Sequence, residues 1–328
     1  MNKITVIMPV WNGMPFIREA ITSVINQRYK NWQLLISDDG STDGTVDYLK
    51  KIKNNKIKIF YQKKNLGILH NLKFLNSKSN TSLIKIFCAD DRMYKNCLKK
   101  TYDFMTKFDD CKLMSCNKFQ HDKKNPGRHY YIYKKLGNKE FIKFPPKASM
   151  IAYFTLGNIC GNLSQVTYRK FNNRNFPSFQ KKITIAGDYY AWAKYSYKYG
   201  TYIIPDKLVY VRTHAKQASN QLNMKNAYYF QLPIVYEYLL NRIKKKYYPV
   251  LRKDMILFNL PQRITNFIKY LLMGRIRFSL EVFSKLPFNI SILELFIYGI
   301  FYRFKNNKFN FLNKYYTKRI VNIIKENQ

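Results

Sequence analysis

Short apolar runs alternate with segments of helical periodicity in the first part of the chain. Apolar runs of strand length occupy residues 4–8, 33–37, 57–61 and 83–87, and a polar turn follows each of them. Between them, apolar side chains recur at helical spacing from Phe16 to Ile25, after Gly44, and through Leu72 and Leu75. Strands that alternate with helices at such short spacing predict an α/β fold: a mostly parallel sheet with helices on both faces.

Polar residues follow all four strand-like runs at their carboxyl ends. In chain order they are Asn12, Asp38 and Asp39, Asn65, and Asp90 and Asp91. Parallel strands bring their carboxyl ends to one edge of a sheet, and ligands bind in the crevice outside that edge. A single Asp-Asp pair after a strand is usually a solvated cap or turn. Four clusters that converge on one edge instead indicate a functional cleft.

The residue types at this edge restrict its chemistry. No Gly-x-Gly-x-x-Gly follows the first strand and no Gly-Lys-Ser/Thr loop is present, so neither a dinucleotide site nor a P-loop is indicated. Carboxylates repel phosphates unless a cation lies between them, and hard oxygen ligands select Mg²⁺ or Mn²⁺. The remaining carboxylates could accept hydrogen bonds from a base or from ribose hydroxyls. The pattern is typical of a nucleotide-diphosphate site bridged by a divalent metal.

Four motifs, taken in order, resemble those of family 2 glycosyltransferases with the GT-A fold. They are Pro9-Val10-Trp11-Asn12, Asp38-Asp39-Gly40-Ser41-Thr42-Asp43-Gly44-Thr45, Asn65-Leu66-Gly67 and Ala89-Asp90-Asp91. The resemblance covers about residues 3–215. It implies an inverting transfer of a sugar from a nucleotide-sugar donor, usually a UDP-sugar.

The resemblance also implies roles for individual residues. Asp39 would meet the uracil or ribose, Asp90 would line the sugar nucleotide, and Asp91 would ligate Mn²⁺ or Mg²⁺. The chain departs from the family at Cys88, where many members carry an Asp, so metal binding rests on the adjacent carboxylate pair. The full set of positions expected to bind the donor is Pro9, Val10, Trp11, Asn12, Asp38, Asp39, Asn65, Gly67, Asp90 and Arg212.

Asp188 is the candidate catalytic base. It opens a predicted aromatic helix that ends before Gly200, and an Asp at a helix start is most often an N-cap. The resemblance places a catalytic carboxylate here, at the end of an acidic motif whose first position is Gly187 in this chain. An inverting displacement needs one base to accept the proton of the acceptor hydroxyl. We therefore predict this role for Asp188, which is compatible with capping.

Strands predicted at 202–204 and 208–212 lead into Arg212-Thr213-His214. The pattern Arg-x-His-x-x-Gln-x-Ser is similar to the segment that closes the active site in non-processive family members. It implies that His214 completes the metal shell or contacts the diphosphate, and that Arg212 offsets the diphosphate charge. The Gln-x-x-Arg-Trp signature of processive synthases is absent, which favours transfer of one sugar per encounter.

Two segments in the middle of the chain leave alternatives open. Residues 157–162 form either a turn before a strand at 163–168 or a loop that faces the acceptor. Residues 121–135, which are basic and aromatic, predict an exposed loop or hairpin.

The composition of the chain predicts an anionic partner and a reducing compartment. The net charge of +39 implies attraction to nucleic acid, to lipid headgroups or to phosphorylated substrates. The five cysteines are odd in number and form no Cys-x-x-Cys pair, which favours a reducing compartment. We expect no signal peptide and no membrane span, because Lys3 leads directly into a strand and no run of about 18 apolar residues occurs. The predicted location is the cytoplasm.

The last third of the chain differs in composition. We expect a catalytic GT-A domain at 1–220 and a basic, aromatic helical region at 221–328, in which Pro233, Pro249, Pro261 and Pro287 separate short helices. Such helices fit peripheral attachment to the inner face of the cytoplasmic membrane, or a soluble helical subdomain. The predicted function is sugar transfer to a glycan or lipid-linked acceptor. The alternative is a non-catalytic basic protein that binds nucleic acid or anionic lipid.

Overall fold

The computed structural model describes residues 3–119, 140–170, 185–214, 222–258 and 308–327, together with 135–136, 183, 217, 272–274, 277, 288 and 291. The chain forms two compact units. The first comprises Met1–Asn125, Gly137–Lys143 and Cys160–His214, and the second comprises Pro126–Leu136, Phe144–Ile159 and Ala215–Gln328. The predicted division at residue 220 into a catalytic domain and a membrane-associating region stays a prediction. The compact units differ from it by including 126–136, 144–159 and 215–220 in the second.

Within the described residues, nine strands form one sheet. They are β1 Ile4–Val10, β2 Trp32–Asp38, β3 Ile57–Tyr61, β4 Leu83–Ile86, β5 Arg92–Met93, β6 Leu113–Phe119, β7 Ile142–Phe144, β8 Val166–Arg169 and β9 Thr201–Tyr210. Their order is β3-β2-β1-β4-β8-β6-β9-β5, and β7 pairs with β9. The first four strands are parallel, as predicted, whereas β8 is antiparallel to both β4 and β6. The sheet is therefore mixed beyond β4.

The described helices of the first unit are α1 Ile17–Ile25, α2 Thr45–Lys50, α3 Ile68–Lys78, α4 Cys97–Lys107 and α6 Gly187–Tyr199; those of the second are α5 Pro146–Leu156, α7 Leu222–Leu240, α8 Tyr248–Phe258 and α9 Lys308–Lys325. All seven residues of β1 are buried, because β2 and β4 flank it. Ile17, Ile21 and Val24 on the apolar side of α1 are buried in one hydrophobic core with residues of β1. Ile25, the last residue of α1, is 37% exposed, although its helical spacing groups it with these apolar residues.

The register of the parallel strands places the polar clusters side by side. Val10 at the end of β1 pairs with Asp38 at the end of β2, and Asp38 pairs in turn with Tyr61 at the end of β3. On the other side of β1, Ile7 pairs with Ile86, the last residue of β4. The segments after all four strands therefore leave the sheet at the same edge.

Two predicted boundaries are wrong for local reasons. The strands expected at 202–204 and 208–212 form the single strand β9, whose register against β6 shifts after Cys116 so that the chain continues past Pro205. The strand expected at 163–168 begins later, because Leu163–Gln165 is a 3₁₀ helix. Its N-cap, Asn162, accepts the Ser164 N–H at 2.9 Å and donates its own N–H to the Gln165 side chain at 2.9 Å. The segment predicted at 121–135 lies outside the described residues, apart from Lys135.

The second unit packs helix against helix. α9 contacts α5 and α8, and α5 contacts α7. Pro249 lies in the first turn of α8, as expected, but Pro233 lies inside α7 and does not end it. The breaks predicted at Pro261 and Pro287 lie outside the described residues. Among the helices described, none has both the length and the apolar character needed to cross a membrane.

Candidate active site

The segments after β1 and β2 are tied together by side-chain to backbone hydrogen bonds. Asn12, in the left-handed region with φ 50°, accepts the Thr42 N–H at 2.8 Å and donates its backbone N–H to the Ser41 hydroxyl at 2.8 Å. Asp43 accepts the Met14 N–H at 2.9 Å. These bonds fix Asn12 at the edge of the sheet before any ligand binds. Of the three residues before it, Pro9 and Val10 end β1 in the core and Trp11 is 53% exposed.

Asp38 and Asp39 are both buried at the end of β2. The Oδ2 atom of Asp38 accepts the N–H groups of Gly40 and Ser41 at 3.2 and 3.0 Å. Its Oδ1 atom is buried and has no hydrogen-bond partner among the described residues. Asp38 therefore keeps one carboxylate oxygen available to a ligand.

Asp39 fixes the loop after β3. Its two oxygens accept the N–H groups of Leu66 and Gly67 at 2.9 and 2.8 Å, and Asn65 also accepts the Gly67 N–H at 3.0 Å. A side chain at Gly40 would lie 3.2 Å from the backbone of Lys64, and Gly40 has φ 74°, so this close approach requires glycine. The predicted contacts of Asp39, Asn65 and Gly67 with the donor stay predictions, but the structure brings all three to one place.

The segment after β4 carries a cluster of three potential metal ligands. The Cys88 sulfur and one carboxylate oxygen each from Asp90 and Asp91 all lie within 4.8 Å of one another. Asp91 is 1% exposed, its Oδ1 accepts the Arg212 N–H at 3.0 Å, and its Oδ2 is buried with no hydrogen-bond partner among the described residues. A buried carboxylate oxygen without a donor is costly unless it is protonated or binds a cation.

Burial sets the electrostatics of this cluster. Burial and the neighbouring charge of Asp90 raise the pKa of Asp91 to about 7, against the opposing effects of the Ser164 hydroxyl, the Arg212 amide and the Lys118 ammonium. Burial raises the pKa of Cys88 well above its usual value, and the charges of Asp91, Asp90 and Asp188 add to this effect. A divalent cation would reverse both effects, because it stabilises the deprotonated forms.

The segment after β9 closes over the cluster. The backbone of Arg212 binds Asp91, as above, and the Nε2 atom of His214 lies 3.1 Å from the Oδ2 atom of Asp90. The ring of Phe16 packs against His214 at 4.7 Å and lies 4.9 Å from the Arg212 guanidinium carbon. The structure thus brings Arg212 and His214 to the carboxylate pair, as the sequence predicts. In this arrangement His214 contacts Asp90, and its role as a metal ligand stays a prediction.

Two charged side chains lie beside the site without a signal in the sequence. Glu19 on α1 forms ion pairs with Arg92, at 3.1 Å, and with Arg212. Lys118 on β6 is close enough to Asp91 to lower its pKa. No local pattern could reveal these pairs, because Glu19 and Arg212 are 193 residues apart and meet only in the fold.

Asp188 is the second residue of α6 and is half-buried. The N-cap of that helix is Ala186, and Asp188 accepts the N–H of Tyr189 at 2.7 Å. The expected N-cap position is therefore wrong by two residues. The charge of Asp188 adds to the effects that raise the pKa of Cys88. The catalytic role of Asp188 stays a prediction.

This geometry agrees with the comparison to known families. The family model described as Glycosyl transferase family 2 matches residues 5–162. Residues 5–162 are a family 2 glycosyltransferase domain. This stretch contains every predicted site residue except Asp188, Arg212 and His214.

Curated relatives match parts of the chain. An uncharacterised glycosyltransferase of Haemophilus influenzae is 32% identical over 107 residues, which cover 32% of this chain and 43% of that protein. The putative teichuronic acid biosynthesis glycosyltransferase TuaG of Bacillus subtilis is 29% identical over 104 residues, which cover 31% of this chain and 41% of TuaG. The matches thus span about two fifths of each of these relatives.

Solved structures match over a larger part of the chain. The mannosyltransferase PcManGT from Pyrobaculum calidifontis, in complex with GDP-Man and Mn²⁺, is 13% identical with a TM-score of 0.58, covering 98% of this chain and 86% of that one. S. aureus TarS 1–349 in complex with UDP-GlcNAc is 15% identical with a TM-score of 0.53, covering 85% and 90%. At these identities the likeness concerns the fold, which is the GT-A fold.

Proposed function

We propose that the protein is an inverting, metal-dependent glycosyltransferase that moves one sugar from a UDP-sugar to a hydroxyl of a glycan or lipid-linked acceptor. The observation that carries the proposal is that two buried carboxylates at the same edge of the sheet each have one oxygen without a hydrogen-bond partner. Among the described residues, Asp38 Oδ1 and Asp91 Oδ2 are the buried carboxylate oxygens without a hydrogen-bond partner. Asp38 is the last residue of β2 and Asp91 follows β4, and these two parallel strands flank β1, so both lie at the edge where ligands of such sheets bind.

The two carboxylates suit different parts of a nucleotide sugar. Asp38, next to Asp39 and the 65–67 loop, would accept hydrogen bonds from the base or ribose. Asp90 and Asp91, with Cys88 beside them, would hold Mn²⁺ or Mg²⁺. When bound, the ion would neutralise the diphosphate as the bond to the sugar breaks. The known complexes of PcManGT with GDP-Man and Mn²⁺ and of TarS with UDP-GlcNAc support this assignment.

Asp188 would act on the acceptor. Its carboxylate accepts the proton of an acceptor hydroxyl while the hydroxyl oxygen bonds to the anomeric carbon of the sugar. The bond from that carbon to the diphosphate breaks at the same time, and the nucleoside diphosphate leaves with the electron pair. Arg212 and His214, held at the carboxylate pair by backbone and side-chain contacts, would offset the charge that develops on the leaving group.

Charge and the comparison with TuaG support the proposed acceptor and location. The relative TuaG is named for teichuronic acid biosynthesis, which supports a role in surface polysaccharide synthesis. In the second unit, exposed basic residues occur before and along α8 and along α9: Lys244, Lys245, Lys246, Lys253, Lys318, Arg319 and Lys325. Leu272 is 84% exposed and Met273 57%. These features support attachment to an anionic membrane face, where a lipid-linked acceptor would lie.

Nucleotide binding tests the proposal directly. Calorimetric titration with UDP should show binding with Mn²⁺ and little or none with chelator, and Asp91→Ala should abolish the metal-dependent part. Asp103→Ala is the matched control, because Asp103 is an exposed aspartate that pairs with Lys99 on α4. A panel of UDP-sugars, followed by release of UDP, then identifies the donor. If the wild-type chain binds RNA or anionic vesicles but no nucleotide, the non-catalytic alternative is correct.

A further inference from the structure

Cys88 differs from the other four cysteines in its exposure and in its position beside two carboxylates. Cys97, Cys111, Cys116 and Cys160 are buried, whereas Cys88 is half-buried at the end of β4. Its sulfur lies within 4.8 Å of carboxylate oxygens of Asp90 and Asp91, which is a separation that one shared ion can bridge. The backbone N–H of Cys88 donates to the Ser164 hydroxyl at 2.9 Å, which fixes this segment next to the 3₁₀ helix.

A second observation indicates that the cluster is built for a ligand. Asp91 is 1% exposed, yet its Oδ2 atom accepts no hydrogen bond from the residues described. Its partner oxygen is already held by the Arg212 N–H, so the carboxylate cannot turn away without losing that bond. The Asp91 carboxylate is therefore held in place while one of its oxygens lacks a partner, as expected of a metal ligand that is positioned before the metal binds.

We propose that Cys88 is a metal ligand, and that the site binds its divalent cation through one sulfur and the carboxylates of Asp90 and Asp91. The proposal rests on the proposed function and deepens it. Binding converts the Cys88 thiol to a metal-bound thiolate and releases one proton to solvent. Thiolate is a soft ligand that Mg²⁺ accepts poorly and that Zn²⁺, Co²⁺ and Cd²⁺ accept well. The site should therefore prefer Mn²⁺ to Mg²⁺ and bind Co²⁺ and Cd²⁺ more tightly still.

A competing explanation is that Cys88 only fills space after β4. The hydrogen bond from its backbone to Ser164 does not depend on its side chain, so Ala or Ser would serve equally well. The two explanations differ in one observable property: only a metal-bound thiolate gives a sulfur-to-metal charge-transfer band.

The experiment is a Co²⁺ titration of the full chain, followed by near-ultraviolet absorbance and by calorimetry. We expect a thiolate-to-cobalt band that saturates at one equivalent, that is absent in Cys88→Ala, and that persists in Cys97→Ala. The latter makes the same change at a buried cysteine of α4. Cys88→Asp should lower Cd²⁺ affinity by at least the roughly 10-fold that loss of even an outer-shell metal contact costs. It should also raise Mg²⁺ affinity.

Three results overturn the proposal: no Co²⁺ binding, Co²⁺ binding without the band, or a band of equal strength in Cys88→Ala. Binding of UDP in the presence of Mn²⁺ separates this failure from failure of the proposed function. If Mn²⁺-dependent UDP binding is intact in the wild-type chain and in Cys88→Ala, with no cobalt band in either, only the sulfur ligand is wrong. If no metal supports UDP binding, the proposed function itself is wrong.

Discussion

Asp91→Asn should stabilise the metal-free protein while it removes metal binding. Burial and the Asp90 charge raise the pKa of Asp91 to about 7, so the folded state holds a proton that the unfolded state loses near the ordinary value of 3.8. Between these values the folded state binds more protons than the unfolded state, so stability falls as pH rises and the loss is complete above about pH 7. Asparagine carries no charge and avoids this loss.

The size of the effect follows from the shift. About three pKa units correspond to roughly 4 kcal/mol at about 1.4 kcal/mol per unit. Exposure does not reduce this figure, because Asp91 is 1% exposed. The asparagine amide, however, places an N–H₂ group beside Lys118 and in a buried position, and an unsatisfied buried donor costs about 1–3 kcal/mol. We expect a net gain of about 1–3 kcal/mol, or several degrees in Tm at about 2–4 °C per kcal/mol.

The assay is thermal unfolding in chelator at pH 5 and pH 8. The gain from Asp91→Asn should be small at pH 5 and larger at pH 8, and Mn²⁺ should stabilise the wild-type chain only. Asp39→Asn is the contrasting control: both oxygens of Asp39 accept backbone N–H groups, so this change should destabilise the protein at either pH. If Asp91→Asn melts at or below the wild-type temperature at pH 8 without metal, the reasoning about its buried charge is wrong.

Three further predictions concern catalysis, positioning and the membrane. Asp188→Asn should lower kcat by about 10²–10⁴ and leave the Kd for UDP with Mn²⁺ unchanged; near-normal turnover would limit Asp188 to a structural role. Glu19→Gln should weaken UDP binding several-fold, because Arg92 and Arg212 lose their shared partner. Glu140→Gln, which removes the charge from an exposed pair with Lys107, should leave titrations unchanged. Equal affinities in the two variants would show that Glu19 does not position the site. In sedimentation with anionic vesicles, removing three lysine charges at 244–246 should cost about 3 kcal/mol of binding at low salt, whereas the same change at exposed Lys50, Lys51 and Lys53 in the first unit should cost little. Equal losses of vesicle binding in the two variants would indicate that the membrane attracts the protein's charge in general and not one particular face of it.

The predictable part of the fold is the part whose signals are local. β1 to β4 could be identified because each is a short apolar run ended by a polar turn, and their parallel pairing follows from the helices between them. That pairing alone brings Asp38 and Asp91 to one edge. β6 and α4 were not predicted. β6 depends on partners that arrive later in the chain, since it pairs with β8 and β9.

Other features could not be predicted because they depend on packing between segments that are distant in the sequence. Pro233 does not end α7, because the packing of a long helix outweighs the loss of one backbone hydrogen bond. Pro205 likewise lies inside β9, at the point where the register against β6 shifts, which is where a strand tolerates proline. Glu19 could not be recognised as part of the site, because its surroundings in the sequence are those of an ordinary exposed residue of α1.

The two Asp-Asp pairs show how one sequence pattern acquires two different roles. After β2, the chain turns through Gly40 and Ser41, and their N–H groups, with those of Leu66 and Gly67, satisfy three of the four carboxylate oxygens of that pair. After β4, the described backbone gives Asp91 a single N–H, from Arg212. The first pair is therefore held mainly by the protein and has one oxygen left for a ligand. In the second pair the Oδ2 atom of Asp91 has no hydrogen-bond partner among the described residues, although Arg212 and His214 contact the pair, and a divalent cation would satisfy that oxygen.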